Sequence, residues 1–129
     1  AQVAGVELNR DAVRDAIANA RRNGVNNCWF SCGDAGAFME RSAEDGDPVD
    51  LVFLDPPRAG SDARFLGSLL RSAPERVVYV SCDPDTLARD CAVLVRGGYR
   101  VERVQPVDMF PFTEHIESVV SLTRAGLGI

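Results

Sequence analysis

The sequence contains no lysine, and all 14 of its basic residues are arginines. Because Asp and Glu together number 19, the formal net charge is −5 and the pI is about 4.8. Proteins that bind nucleic acid by themselves usually carry a net positive charge, since neutralisation of phosphates dominates their affinity. We therefore expect that any RNA bound by this protein is held mainly by residues outside this sequence.

Long apolar runs are absent as well. No stretch approaches the roughly 20 residues of a membrane-spanning helix, and we expect no membrane association. Hydrophobic residues make up 46% and charged residues 26%, which is typical of a folded domain rather than a disordered chain. A length of 129 residues is enough for one core. The composition predicts a single domain over residues 1–129.

Histidine occurs once, at His115, and cysteine only four times. Cys28 and Cys32 are spaced like half a zinc site, but no second pair of similar spacing follows, so we expect no metal. A chain with this much aliphatic content needs no disulfide to fold. Free thiols then indicate the reducing environment of the cytoplasm.

Strands and helices are predicted to alternate along the chain. Apolar runs predict strands at 3–8, 27–31, 49–54, 76–80, 99–104 and 118–123, and helical spacing predicts helices from Asn9 to about 22, at 35–41, at 62–71 and from Pro84 to about 96. The strands at 49–54 and 76–80 are nearly continuously apolar, which is typical of burial on both faces. A loop of mixed charge is expected at 42–47. This order predicts an α/β fold with a mostly parallel, doubly wound sheet and an antiparallel last strand.

The glycine-rich turn that cradles a nucleotide cofactor after the first strand of such folds is missing. The first strand ends instead at Glu7, an acidic residue of the kind that follows that turn by about 20 residues and binds ribose hydroxyls. We therefore expect a Rossmann-like fold that lacks its first β-α unit. Unpaired sheet edges would then allow homo-oligomers.

Polar residues stand at the carboxyl ends of four predicted strands: Glu7, Asp34, Asp55 and Cys82. Each has an ordinary structural role available, as a solvated strand end, a helix cap, a turn residue or a small buried side chain. Because the carboxyl ends of parallel strands meet at one edge, the four together favour a functional site. Cys82 precedes a helix that starts at Pro84, whose positive end favours the nucleophilic thiolate. Cys91 falls on the apolar face of that helix and is expected in the core.

Three blocks of residues resemble one known family, the RNA 5-methyluridine methyltransferases. The blocks are Asp55-Pro56-Pro57-Arg58-Ala59-Gly60; Val78-Tyr79-Val80-Ser81-Cys82-Asp83-Pro84 with Thr86-Leu87-Ala88-Arg89-Asp90; and Asp108-Met109-Phe110-Pro111 with Thr113, His115, Glu117 and Ser118. The resemblance extends from Gly5 to Arg124. It is specific because the three blocks occur in the family's order, whereas Asp-Pro-Pro alone occurs in methyltransferases with other targets.

The resemblance implies a covalent mechanism that uses S-adenosylmethionine. The family's nucleophile falls on Cys82, which adds to carbon 6 of a uracil, and its base falls on Glu117, which removes the proton from carbon 5. It also implies cofactor contacts at Glu7 (ribose), Asp34 (adenine) and Asp55 (amino-acid part), and a base flipped out of tRNA or rRNA. The residues alone leave Glu117 open as a strand-start carboxylate and His115 as a surface residue. Arg58 is left open between a phosphate contact and an ion pair.

One position and one segment depart from the family. Family members commonly have Asn where this sequence has Asp83, and a carboxylate beside Cys82 disfavours the thiolate. The amino-terminal part, with its cofactor loop and RNA-binding domains, is not in the sequence. The isolated chain is therefore expected to bind S-adenosylmethionine weakly or not at all, and to be inactive or weakly active. Two alternatives stay open: a non-catalytic or truncated module, and a methyltransferase for a different base.

Overall fold

A computed structural model describes residues 1–126 and shows six strands and four helices. They follow one another as β1 (Val3–Glu7), α1 (Arg10–Arg22), β2 (Cys28–Cys32), α2 (Ala35–Asp45), β3 (Leu51–Leu54), α3 (Ala63–Ser72), β4 (Arg76–Ser81), α4 (Pro84–Arg96), β5 (Tyr99–Val107) and β6 (Glu117–Arg124). The expected alternation of strands and helices is confirmed.

Each helix begins at a side chain that caps its free backbone N–H groups. Asn9 accepts hydrogen bonds from the backbone of Asp11 and Ala12, as its position before α1 predicts. Asp34, Asp62 and Asp83 do the same for α2, α3 and α4. The helix starts therefore follow from local sequence.

The predicted end of α2 at 41, with a loop over 42–47, is wrong. The helix continues to Asp45 and ends at Gly46, which adopts the left-handed conformation (φ 70°) that closes a helix. Ser42 is buried on the inner face of this last turn, while Glu44 and Asp45 face solvent. The mixed charge that suggested a loop belongs to the exposed face of an amphipathic helix.

The strands form two sheets within residues 1–126. β1 and β2 pair in parallel as one sheet, and the other has the order β3-β4-β6-β5. In the larger sheet β3 and β4 are parallel, and β6 lies antiparallel between β4 and β5. The antiparallel last strand is confirmed. No ladder among the described residues joins β1 to β3, so each of these two strands is paired on one side only.

The core lies on one face of the larger sheet, against α2, α3 and α4. Its buried side chains are Met39, Leu54, Leu66, Leu69, Val77, Tyr79, Leu87, Leu94, Tyr99, Val120 and Leu122. The prediction that the strands at 49–54 and 76–80 are buried on both faces is wrong. β4 alternates buried and half-buried positions, while Leu51 and Phe53 of β3 are 43% and 70% exposed. The helices cover only one face, so the apolar residues of the other remain open.

Two findings bear on membranes and metals. Within residues 1–126 no helix is both long and apolar enough to cross a membrane. The four cysteines are free thiols, and the same residues contain no cluster of three or more His, Cys, Asp or Glu side chains able to hold a metal ion.

The open face of β3 generates a prediction about self-association of the 129-residue chain. Light scattering should give a mass above the 14.0 kDa of one chain, because association covers Leu51 and Phe53. Phe53→Glu should return the mass to that of a monomer. Val95→Glu, at a 47% exposed position on α4, serves as the control and should leave the association unchanged. A wild-type monomer would contradict the prediction.

Candidate active site

Cys82 lies in a tight turn between β4 and α4. The Ser81 hydroxyl accepts a hydrogen bond from the Asp83 backbone N–H (3.0 Å) and donates one to the Asp83 carbonyl (2.8 Å). Ser81 is buried, so this side chain fixes the turn from inside, while Cys82 between the two residues is half-buried. The turn thus holds a reachable thiol at the amino end of α4, where the helix dipole favours negative charge.

Asp83 beside this thiol is the N-cap of α4. Its Oδ1 atom accepts hydrogen bonds from the backbone N–H groups of Asp85 and Thr86, both at 3.0 Å. The bond from Thr86, more than any other contact, holds the pKa of Asp83 below its usual range, and Asp83 is therefore ionised at neutral pH. The carboxylate oxygen that caps the helix occupies the place an Asn amide oxygen would take.

Cys82 and Glu117 flank the same end of one ladder. The antiparallel ladder between β4 and β6 ends at the pair Ser81 and Ser118; Cys82 follows Ser81, and Glu117 precedes Ser118 as the first residue of β6. On its other side Glu117 pairs with Val107 of β5, which anchors its backbone. Directly opposed residues of antiparallel strands, such as Ser81 and Ser118, lie about 5 Å apart at their Cα atoms. The residues next to this pair bring a thiol and a carboxylate from distant parts of the sequence to one end of the sheet.

The segment 55–61 after β3 borders the same end. Asp55 and Arg58 are exposed, and the Thr86 hydroxyl donates a hydrogen bond to the Arg58 carbonyl (2.9 Å). The Arg58 Nη2 atom lies 3.4 Å from Nδ1 of His115, which links this segment to the one before β6. Arg58 forms no ion pair with a residue in 1–126. After the backbone hydrogen bond from Thr86, its positive charge is a further cause that lowers the pKa of Asp83, and its exposed guanidinium remains accessible to an anion.

Glu7 and Asp34 lie at the carboxyl ends of the smaller sheet. Glu7 accepts a hydrogen bond from the Asn9 backbone through Oε1 (2.8 Å), and Asp34 caps α2 through Oδ1 by accepting from Ala37 (2.8 Å). Each carboxylate keeps its second oxygen for another donor. No ladder or hydrogen bond of residues 1–126 connects these two side chains to Cys82 or Asp55. The structure thus gathers Cys82, Glu117 and Asp55 at one sheet end and places Glu7 and Asp34 on the other sheet.

The carboxylates fit the chemistry of S-adenosylmethionine, which offers ribose hydroxyls and amino groups as hydrogen-bond donors. Glu7, Asp34 and Asp55 are all exposed and all follow parallel strands, the location where ligands of open α/β sheets bind. The Asp55 carboxylate accepts no hydrogen bond from residues 1–126. Its oxygens can therefore accept hydrogen bonds from an ammonium group.

Sequence reasoning missed a buried polar network below the segment 55–61. Asp90 of α4 is fully buried and accepts hydrogen bonds from the Tyr79 hydroxyl (2.6 Å) and the Ser61 backbone (2.7 Å). Burial and this hydrogen bond hold the pKa of Tyr79 well above its ordinary value. One signal was available: Asp90 stands between Leu87 and Leu94 on the apolar face of its helix, where a charged residue is unexpected.

The sequence is similar to those of known RNA methyltransferases. A family model described as tRNA (Uracil-5-)-methyltransferase matches residues 1–125. The chain is 48% identical over 124 residues to an uncharacterized RNA methyltransferase of Enterococcus faecalis and 52% identical over 120 residues to one of Halalkalibacterium halodurans. The matches cover 96% and 93% of this chain but 27% and 26% of those proteins. The chain therefore spans about a quarter of the length of these curated relatives.

A solved structure shows the same fold. The crystal structure of Pyrococcus abyssi tRNA (uracil-54, C5)-methyltransferase in complex with S-adenosyl-L-homocysteine superposes with a TM-score of 0.78 at 35% identity. The match covers 95% of this chain and 29% of that one. The expected Rossmann-like methyltransferase fold is confirmed.

The cap at Asp83 generates a prediction about the reactivity of Cys82. Asp83→Asn keeps an oxygen on the α4 backbone and removes a negative charge beside the thiol, so iodoacetamide should label Cys82 about threefold faster at pH 7. Mass spectrometry of the Cys82 peptide measures the rate. Asp62→Asn, the same change at the N-cap of α3, is the matched control and should leave the rate unchanged. Equal rates in wild type and Asp83→Asn would contradict the prediction.

Proposed function

We propose, since this chain belongs to the tRNA (uracil-5-)-methyltransferase family, that it is the C-terminal part of the catalytic domain of an S-adenosylmethionine-dependent RNA methyltransferase. Its target is carbon 5 of a uridine in tRNA or rRNA. The observation that supports the proposal is the register of β4 and β6, in which Ser81 pairs with Ser118, so that Cys82 and Glu117 are the residues next to this last pair.

Cys82 acts as the nucleophile. Its thiolate forms a bond to carbon 6 of the uracil, and the electrons of the 5,6 double bond move toward oxygen 4. Carbon 5 thereby gains the electron density it lacks in free uracil, and it can take up a methyl group. The half-buried turn supports this role, because the sulfur is held in one place and remains accessible to a base that has left its stack.

Glu117 acts as the general base. After carbon 5 has been methylated it still carries its proton, and Glu117 removes that proton so that the double bond reforms and the thiolate of Cys82 leaves. The base has to reach the carbon next to the one that holds the sulfur. The position of Glu117 next to Ser118, which pairs with the residue before Cys82, supports this role.

S-adenosylmethionine supplies an electrophilic methyl group on a sulfonium sulfur. Glu7 would hold the ribose hydroxyls and Asp34 the adenine, each through the carboxylate oxygen that its structural hydrogen bond leaves open. Asp55 would hold the amino-acid part. In this proposal Glu7 and Asp34 belong to one sheet and Asp55 to the other, so the cofactor lies between the two sheets.

RNA contacts at this site use the guanidinium of Arg58 and exposed aromatic rings. The planar guanidinium donates paired hydrogen bonds to phosphate oxygens, so Arg58 is suited to bind the RNA backbone. Phe110 and Phe112 are exposed in the segment before Glu117, and Phe112 has a positive φ (67°), which is costly for a residue other than glycine. Exposed rings are typical stacking partners for unpaired bases. The net charge of −5 leaves most of the affinity for RNA to other parts of the complete protein.

A 5-fluorouridine trap tests the covalent mechanism. The complete protein is incubated with S-adenosylmethionine and RNA that carries 5-fluorouridine, whose fluorine cannot be removed as a proton. A protein–RNA complex that survives denaturation should form, and Cys82→Ala should abolish it. Cys32→Ala, at an exposed free thiol on the other sheet, is the matched control and should form the complex at the wild-type level.

Two outcomes would overturn the proposal. A complex that persists in Cys82→Ala would assign the nucleophile elsewhere. Full methylation activity in Cys82→Ala without any complex would indicate transfer to an exocyclic amine, which needs no cysteine. Nucleoside analysis of the product separates uridine from cytidine as the methylated base.

A further inference from the structure

We infer that Asp90, together with Arg89, is a positioning residue that fixes the segment 55–61 beside Cys82. This inference rests on the proposed function for its consequence in catalysis, since that segment carries Asp55 and Arg58. Neither Asp90 nor Arg89 is required to touch substrate. Both act through the backbone of the segment they hold.

Every polar contact of the Asp90 side chain is made with the segment 55–61, with β4 or with Arg89. Its side chain is 1% exposed. Oδ2 accepts the Ser61 backbone N–H at 2.7 Å and the Tyr79 hydroxyl at 2.6 Å. Oδ1 accepts Nε of Arg89 at 2.9 Å and lies 2.9 Å from its Nη2 atom. One buried carboxylate therefore joins the segment 55–61, the centre of β4 and the neighbouring arginine.

Arg89 extends the same attachment along the segment. Its Nη2 atom donates to the carbonyls of Ala59 (2.8 Å) and Ser61 (3.3 Å), and Thr86, one turn earlier, donates to the carbonyl of Arg58 (2.9 Å). The first turns of α4 thus hold three carbonyls and one N–H of a segment almost 30 residues away. Cys82 immediately precedes this helix, so the same element positions the nucleophile and the segment.

Gly60 shows how closely the segment lies on this pair. Its φ is +77°, and a Cβ atom there would stand 2.7 Å from Nη2 of Arg89 and 2.7 Å from Oδ2 of Asp90. Only glycine fits both the conformation and the space. The segment therefore has one position on α4, and the contacts at Arg58, Ala59 and Ser61 define it.

A carboxylate at this place needs an explanation beyond core packing. Burial of a charge is unfavourable unless partners compensate it, and an apolar residue between Leu87 and Leu94 would fill the space without that cost. What an apolar residue cannot do is accept the Ser61 N–H and orient Arg89. The benefit of Asp90 is a fixed distance between Arg58 and Cys82, and small displacements of groups around a reacting centre cost large factors in rate.

The test compares two substitutions that each remove a buried polar interaction. In the complete protein, Asp90→Asn loses the ion pair that holds Arg89 on the segment, whereas Tyr99→Phe removes the hydrogen bond from the buried Tyr99 hydroxyl to the Pro74 carbonyl, away from the segment. Asp90→Asn should speed hydrogen exchange in peptides that cover residues 57–62 by about tenfold and lower kcat/KM between about 10- and 100-fold. Tyr99→Phe should lower the melting temperature but leave exchange of these peptides near the wild-type rate. Asp15→Asn, a change at a side chain on α1 that is 78% exposed, should change neither.

A second variant covers the case in which Asp90→Asn fails to fold. Arg89 is half exposed, so Arg89→Met is tolerated, and it should speed exchange of the same peptides while Arg89→Lys partly restores protection. Exchange of these peptides at the wild-type rate in Asp90→Asn and Arg89→Met would overturn the inference. So would a loss of activity that only follows the melting temperature across all variants. Absence of uridine methylation in the wild-type protein would refute the proposed function alone, because hydrogen exchange tests the attachment without activity.

Discussion

The antiparallel pairing of β4 with β6 is the interaction on which the site depends. β6 is the last strand within residues 1–126, yet it inserts between β4 and β5 and pairs with both. The pairing between Ser81 and Ser118 sets what lies just beyond it: a thiol on one strand and a carboxylate on the other. A shift by one residue would turn Glu117 to the other face of the sheet, since side chains alternate along a strand. Burial of Val120 and Leu122 against the helices excludes that shift.

Around these two residues, three polar side chains fix the backbone in place. Ser81 closes the turn that carries Cys82, Asp83 caps the helix behind it, and Asp90 receives the segment after β3. Irregular backbone beside a sheet has few regular hydrogen bonds of its own, so side chains have to supply them. In α/β folds, rigid strands present functional loops at their carboxyl ends. In this protein, these few buried or half-buried side chains hold those loops in position.

Local features of the fold were predictable from the sequence, and long-range ones were not. Asn9 before an apolar periodicity and Pro84 at the first turn of α4 announce their helices, because capping involves neighbours in the chain. The insertion of β6 into the sheet and the exposure of Leu51 and Phe53 depend on elements far apart in sequence, which periodicity does not report. For the candidate site, the resemblance implies Cys82 and Glu117, and the structure adds that their neighbours Ser81 and Ser118 pair across β4 and β6. The role of Asp90 could not be predicted from the sequence, because it depends on the contact with the Ser61 backbone, which lies 29 residues earlier in the chain.

Trapping of the natural substrate tests most directly the claim that Cys82 and Glu117 act on the same uracil from opposite strands. Glu117→Gln in the complete protein is incubated with ordinary uridine RNA and S-adenosylmethionine, and the protein is digested for mass spectrometry. The account predicts that the Cys82 peptide accumulates a covalently bound uridine that already carries the methyl group, because addition and methylation proceed while proton removal does not. Release of methylated RNA at the wild-type rate, or an adduct on another cysteine, would contradict it.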